Sequence, residues 1–248
     1  MDIVKLTPSY KSYVWGGERL KRSYGKETPI SPLAESWELS FHKDGESRLP
    51  DGRTISSVAT SMDIGSNASA FPYFPALVKF IDADQDLSVQ VHPSDEYALT
   101  HENSFGKTEM WYIVSAEKNA GIYLGFSKDV SAEEFENAVN RNTLVELMNF
   151  YPVKEGESYF IPAGTIHAIG KGCVILEIQQ SSNLTYRIYD WDRRDKFGNS
   201  RELHIEKAKK VLNFKKFKHR ALNIASEYRE PNTLNHTMPS RAKILPMQ

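Results

Sequence analysis

Between Tyr151 and Ser182 the chain keeps a rhythm that few folds can absorb. Short apolar runs are punctuated by Glu155-Gly156, Ala163-Gly164 and Lys171-Gly172. Turn signals at that spacing read as hairpin-connected strands of an antiparallel sandwich or barrel. Alternation of period two recurs upstream. Glu35, Trp37 and Leu39 share one face of ESWELS, and Leu87, Val89 and Val91 oppose Ser88, Gln90 and His92. ALVKFIDA reads as a buried strand, with further strands at Glu109–Val114, Gly121–Leu124 and Leu184–Arg193. The expected fold class is therefore mainly β.

Helical signals are few. Ser131-Ala-Glu-Glu134 is a capping box, followed by Phe135, Ala138 and Val139, then Leu144, Leu147 and Met148, at helical spacing. Glu202 to Leu212 carries Leu203, Ala208, Val211 and Leu212 as an apolar stripe, and Thr54 to Ser61 reads as a short helix. Ser94 caps another short helix whose first turn holds Asp95 and Glu96, acids that suit the positive helix end. That accounts for the pair better than a paired-carboxylate catalyst does.

Composition excludes several classes. At 248 residues, 40% apolar and 25% charged, the chain has material for a real core, and neither fraction suggests disorder. A formal charge of -1 gives no reason to expect nucleic acid or membrane partners; the one basic cluster, Lys215 to Arg220, reads as a solvated turn. A single cysteine, Cys173, rules out a disulfide framework and fits a reducing compartment. No N-terminal apolar run reaches signal-peptide length and no stretch could span a bilayer, so the expected location is cytoplasmic.

The chemistry concentrates on two stretches. On the strand ending QVHP, Gln90 and His92 point the same way, and KTEMWYI puts Lys107 and Glu109 on a common face. An amide, an imidazole, a carboxylate and an ammonium converging from two strands suggest a metal site beside a charged substrate. The second stretch follows G-x5-P-x-G-x2-H, from Gly156 through Pro162 and Gly164 to His167. Pro162 and Gly164 shape a tight hairpin, and His167 starts the return strand facing inward. This pattern resembles the second metal motif of cupin barrels. Any one of these residues alone reads more simply as an ordinary strand side chain; their convergence singles them out. Two imidazoles, a carboxylate and an amide make a mixed nitrogen/oxygen site with room for an open position, which suits zinc, with manganese, cobalt or iron as alternatives.

QVHPSDEYA, GKTEMWYI, IPAGTIHAIG, EIQQSSNLTYRIYDWDR, the early WGG and AESWE together resemble the type I mannose-6-phosphate isomerase family in its short bacterial form, from about Tyr10 to the end. The resemblance implies a cupin-type double-stranded β-helix, or jelly-roll barrel. It implies one divalent ion, usually zinc, held by Gln90, His92, Glu109 and His167. The implied activity interconverts mannose 6-phosphate and fructose 6-phosphate through an enediol. Arg187, the arginine of the family's SN-x3-R motif, and Lys107 are the implied catalytic residues, and Ser88 and Arg193 the implied substrate contacts. Arg193 stands where the family often has lysine. The proton-transferring base stays open among groups beside His92, Lys107 and a metal-ordered water.

The expected organisation is a catalytic cupin core over residues 1–130 and 151–200, a helical insertion over 131–150, and a helical segment and linker over 201–248. Family members usually continue into a further β domain, expected here to be absent, with possible self-association through the face it leaves. Two other readings accompany the isomerase: another cupin metalloenzyme, such as an oxygenase or sugar epimerase, and a non-catalytic sugar-phosphate-binding remnant. Histidine-rich iron sites are usual for the oxygenases, so Gln90 and Arg187 favour sugar-phosphate chemistry.

Overall fold

The structure, a computed structural model, describes residues 3–68, 71–194 and 197–218. Its strands are β1 (Ser9–Lys11), β2 (Glu35–Leu39), β3 (Ala76–Asp82), β4 (Val89–Val91), β5 (Glu109–Ala116), β6 (Gly121–Phe126), β7 (Met148–Pro152), β8 (Ser158–Ile161), β9 (His167–Ile169), β10 (Cys173–Gln180) and β11 (Tyr186–Tyr189). Its helices are α1 (Arg19–Arg22), α2 (Ser61–Ile64), α3 (Asp95–His101), α4 (Ala132–Asn140) and α5 (Ile205–Val211). The strands form a six-stranded sheet, β1-β2-β3-β10-β5-β8, and a five-stranded sheet, β11-β4-β9-β6-β7. Every strand pairing in both is antiparallel. The mainly β, antiparallel sandwich expected from the turn rhythm is the fold found, and it matches the cupin-type fold that the resemblance implies.

Parity explains the layering. Ile81, Trp111, Ile113 and Ile175 from the larger sheet meet Ile122, Leu124 and Ile169 from the smaller one in a core between the sheets. The opposite face of the smaller sheet, through Val89, Val91, Ala168 and Tyr186, packs on Phe135 of α4 and Ala208 of α5. Strand side chains alternate, so placing Val89 and Val91 against the helices turns the intervening Gln90 inward between the sheets. The helices thus cover the back of the sheet whose front carries the candidate site.

Two expectations need correcting. Met148 does not extend a second helix: residues Leu144–Leu147 make one 3-10 turn, and Met148 opens β7, which pairs with β6. The helical insertion therefore ends at 147, because β6 offers Met148–Pro152 a ladder that a lone helical turn lacks. Thr54–Ser61 forms a 3-10 turn at Ile55–Ser57 and α2 starts only at Ser61. The expected linker from 219 onward, including His219 and Arg220 of the basic cluster, lies outside the described residues.

Candidate metal centre

Polar side chains gather where two strand rungs face each other. Across the larger sheet, cross-strand partners run Trp37, Lys79, Glu177, Trp111, Tyr159. Across the smaller sheet they run Arg187, Gln90, His167, Leu124. Between them opens a cavity of about 280 Å³, lined in part by Ser88, Gln90, Lys107, Glu109 and Arg187. Its wall includes the buried Glu35, Lys79, Glu109 and Glu177, whereas Arg187 and Arg201, which also line it, are partly exposed.

His92, Glu109 and His167 each present one ligand-type atom, and the three atoms lie within 4.8 Å of one another. The hairpin brings His167 up: Gly164 takes a φ of +83° and donates its N–H to the His92 carbonyl at 2.8 Å. Only a residue without Cβ adopts that turn cheaply. Backbone carbonyls then fix both imidazoles, His92 Nδ1 at 2.8 Å from Leu184 O and His167 Nδ1 at 2.8 Å from Thr165 O. A carbonyl can only accept, so Nδ1 carries the hydrogen in each ring and Nε2 carries a lone pair. Both Nε2 atoms point at Glu109, at 3.2 Å from Oε1 and 3.5 Å from Oε2.

Electrostatics keep these donors in their ligating forms. Burial first, then the Lys107 ammonium, pushes the His92 imidazole well below its ordinary value, and burial lowers His167 against the opposing pull of Glu109. Burial alone would raise the Glu109 carboxyl, but nearby Lys107 reverses the sign and holds it below the ordinary carboxylate range. Two neutral imidazoles and a carboxylate are the states a divalent ion requires. Glu109 Oε2 and His167 Nε2 are buried and have no hydrogen-bond partner. Buried acceptors left facing one another are costly, and a cation between them removes that cost. The donor set thus fits a divalent metal ion, and Nδ1–carbonyl hydrogen bonds are the usual support for such histidines.

Lys107 donates to Glu109 Oε1 at 2.8 Å and lies 3.2 Å from His92 Nε2. Gln90 and Ser88 line the cavity beside the donor group. Arg187 also lines it, with Nη1 given to Glu202 O at 2.9 Å and a buried Nε without a hydrogen-bond partner. The structure does not bring Arg193 to the cavity. Trp191 and Asp192 at φ +58° and +51° fold the chain back, and Arg193 hydrogen-bonds Asp190 and, at 2.6 Å, Asp86 O. Ser94 caps α3 and Asp95 and Glu96 occupy its first turn, as expected; Asp95 also accepts from Gly106 N and Gln180 Nε2.

Sequence reasoning missed Glu35, Lys79, Glu177 and Arg201. Lys79 Nζ lies 3.3 Å from Glu35 Oε1 and 3.1 Å from Glu177 Oε2, while Trp37 Nε1 donates to Glu35 Oε2 at 2.6 Å. Burial works against the Lys79 charge, yet Glu177 and Glu35 together hold its ammonium above the ordinary lysine value. Burial, reinforced by Glu109, raises the Glu177 carboxyl. The available signal was a lone lysine in the apolar strand ALVKFIDA and a glutamate at the matching parity of VILEIQQ.

A cupin-type sandwich with a two-histidine, one-carboxylate group between its sheets defines a candidate metal-binding protein. The profile of the phosphomannose isomerase type I catalytic domain matches residues 3–123. The mannose-6-phosphate isomerase of Streptococcus mutans is 42% identical over 204 residues, 80% of this chain and 64% of that protein. A probable mannose-6-phosphate isomerase of Bacillus subtilis is 40% identical over 84% of this chain and 67% of its own length. The crystal structure of the Bacillus subtilis mannose 6-phosphate isomerase superposes with a TM-score of 0.76 at 35% identity, covering 85% of this chain and 68% of that one. The chain belongs to the type I mannose-6-phosphate isomerase family, and it spans about two thirds of the length of these curated relatives.

Proposed function

We propose that the chain is a metal-dependent aldose-ketose isomerase that interconverts mannose 6-phosphate and fructose 6-phosphate. The observation that carries this reading is the convergence of His92, Glu109 and His167 within 4.8 Å, with Glu109 also lining a cavity that holds Lys107 and Arg187. In this reading His92, Glu109, His167 and the Gln90 amide hold one divalent ion, zinc by donor type. When bound, the ion supplies Lewis acidity to the substrate oxygens near C1 and C2.

The chain's own residues do the rest. Isomerisation moves one proton between C2 and C1 and another between O1 and O2, through an enediol. Arg187 faces the negative charge that builds on those oxygens, and Lys107, fixed by Glu109, offers a second cation to them. Ser88, buried at 4% exposure on the same cavity wall, is a hydrogen-bonding contact for the sugar. The group that carries the carbon-bound proton is drawn from Lys107 and Glu177, the latter's carboxyl raised above its ordinary value by burial. Trp15 and Trp111 on the cavity wall keep bulk water from the enediol. Residues 131–147 serve as an outer wall behind the smaller sheet, and the single buried cysteine fits work in the cytoplasm. Among the described residues no helix is long and apolar enough to cross a membrane.

The test is turnover of mannose 6-phosphate by zinc-loaded chain. Activity that persists without oxygen and stops with a chelator supports the isomerase and excludes an oxygenase. A fully loaded chain that leaves mannose 6-phosphate untouched sinks the proposal.

A further inference from the structure

α5 opens at His204, yet the His204 side chain makes no capping hydrogen bond to that helix. The His204 carbonyl accepts from Ala208 N at 2.8 Å, and Ala208 is buried behind the smaller sheet, so α5 fixes where residue 204 stands. The imidazole turns to β11 instead. Arg187 N donates to His204 Nδ1 at 3.2 Å, and His204 N donates to the Arg187 carbonyl at 2.7 Å. β11 is an edge strand of its sheet, and this single residue takes both backbone groups of Arg187. Two residues earlier, Glu202 O accepts from Arg187 Nη1 at 2.9 Å. The segment 202–204 thus holds Arg187 at its backbone and at its guanidinium, opposite its cross-strand partner Gln90.

Resting on the isomerase reading, we infer that His204 is a positioning residue whose neutral imidazole holds Arg187 at the cavity and whose protonation releases it. A backbone N–H can only donate, so this bond needs a lone pair on Nδ1 and puts the ring hydrogen on Nε2. Acid adds a hydrogen to Nδ1 that meets the Arg187 N–H, and one of the two backbone bonds is lost. The His204 side chain is 25% exposed, so solvent protons reach it. The charged and titratable groups around it come from three elements. Glu202 Oε2 lies 3.8 Å from Nε2, with Lys207 one turn on along α5, and β11 supplies Arg187 and Tyr186. Glu102, at the end of α3, accepts from both the Tyr186 hydroxyl and Lys207 Nζ. Burial draws the imidazole below its ordinary value of 6.5, with Arg187 and Lys207 helping and Glu202 and Glu102 opposing. The holding form therefore prevails at neutral pH, and release sets in below pH 6.5.

The experiment measures kcat/KM for mannose 6-phosphate against pH with the zinc-loaded chain, for the wild type, His204→Leu and His204→Asn. Protection of the Arg187 amide against hydrogen exchange is read by NMR on the same proteins. His204→Leu removes the acceptor and is expected to lower kcat/KM at pH 8 by about tenfold, with zinc content unchanged. His204→Asn offers Oδ1, an acceptor that does not titrate. It should recover most of that loss and flatten the decline that the wild type shows between pH 7 and 5.5. The metal ligands are the same in all three proteins, so their own titration cancels in the comparison. If His204→Leu does not fold, the pH profile of His204→Asn carries the test. A His204→Leu protein with wild-type kcat/KM, or a His204→Asn profile that declines as the wild type's does, overturns the inference. A chain that does not turn over mannose 6-phosphate removes the isomerase reading instead, and the Arg187 amide then decides. Protection that falls with acid in the wild type but not in His204→Asn keeps the His204 contact, and equal protection in the two removes it.

Discussion

Glu109 Oε2 and His167 Nε2 face each other at 3.5 Å, two buried lone-pair atoms with no hydrogen between them. Such a contact is repulsive unless a cation lies between, so metal binding and folding should be linked. Zinc at one hundred times its dissociation constant is expected to add about 2.7 kcal/mol of stability. Thermal unfolding with and without a chelator measures this. His167→Ala should abolish the shift and lower the bound zinc; equal zinc content in variant and wild type would refute the assignment of that ligand.

Lys79 pairs with two buried carboxylates, and its loss should cost more than a typical surface substitution. Lys79→Met keeps the volume but leaves Glu35 and Glu177, at 6% and 2% exposure, without their cation. Breaking a buried pair on one side costs about 3–5 kcal/mol. Urea unfolding should show that loss, and pairing Lys79→Met with Glu35→Gln should recover part of it. A Lys79→Met protein as stable as the wild type would show that water, not Lys79, solvates the two acids.

What could be read from the sequence follows a physical divide. Period-two alternation places Gln90 inward and the hairpin grammar of Gly156 to His167 places the second histidine, because both are local properties of the backbone. The Trp37–Lys79–Glu177–Trp111 rung comes from four strands far apart in sequence, and its partners are set by register, which no local pattern fixes. Met148 illustrates the same limit: its helical spacing after Leu144 was real, and a tertiary ladder with β6 overrode it. Arg193 is turned away from the cavity at the two left-handed residues Trp191 and Asp192, a reversal that residue types such as these do not announce.

The buried histidines should make the metal-free chain sensitive to acid. Both have folded values below 6.5, so the unfolded chain takes up protons first as pH falls. Their contribution is complete above the unfolded value of 6.5 and is lost as pH drops from there through the depressed folded values. Urea midpoints of chelator-stripped protein are therefore expected to fall between pH 7.5 and 5.5 by more than in a His92→Gln/His167→Gln variant. Parallel pH dependence in the two proteins would remove these histidines as the cause.

Cys173 provides a probe of the opposite end of the sandwich. Its side chain is fully buried, and burial pushes the thiol up to about 12, so almost no thiolate exists to react. The Cys173 carbonyl accepts from Arg19 Nη2 at 3.1 Å, while Arg19 also donates to the Ala83 and Gly172 carbonyls and pairs with the buried Asp82 at 2.7 Å. That guanidinium ties α1 to the end of β3 and the start of β10. Native protein at pH 8 should therefore release no colour from a disulfide thiol reagent within minutes and one equivalent in denaturant. Arg19→Met leaves Asp82 without its ion pair and the carbonyls without their donor. It should speed the native reaction at least tenfold while leaving zinc content unchanged. If thiol protection were the same in Arg19→Met, the strand ends would be held by packing of Leu20, Leu33 and Val174 alone, and the arginine would be dispensable to them.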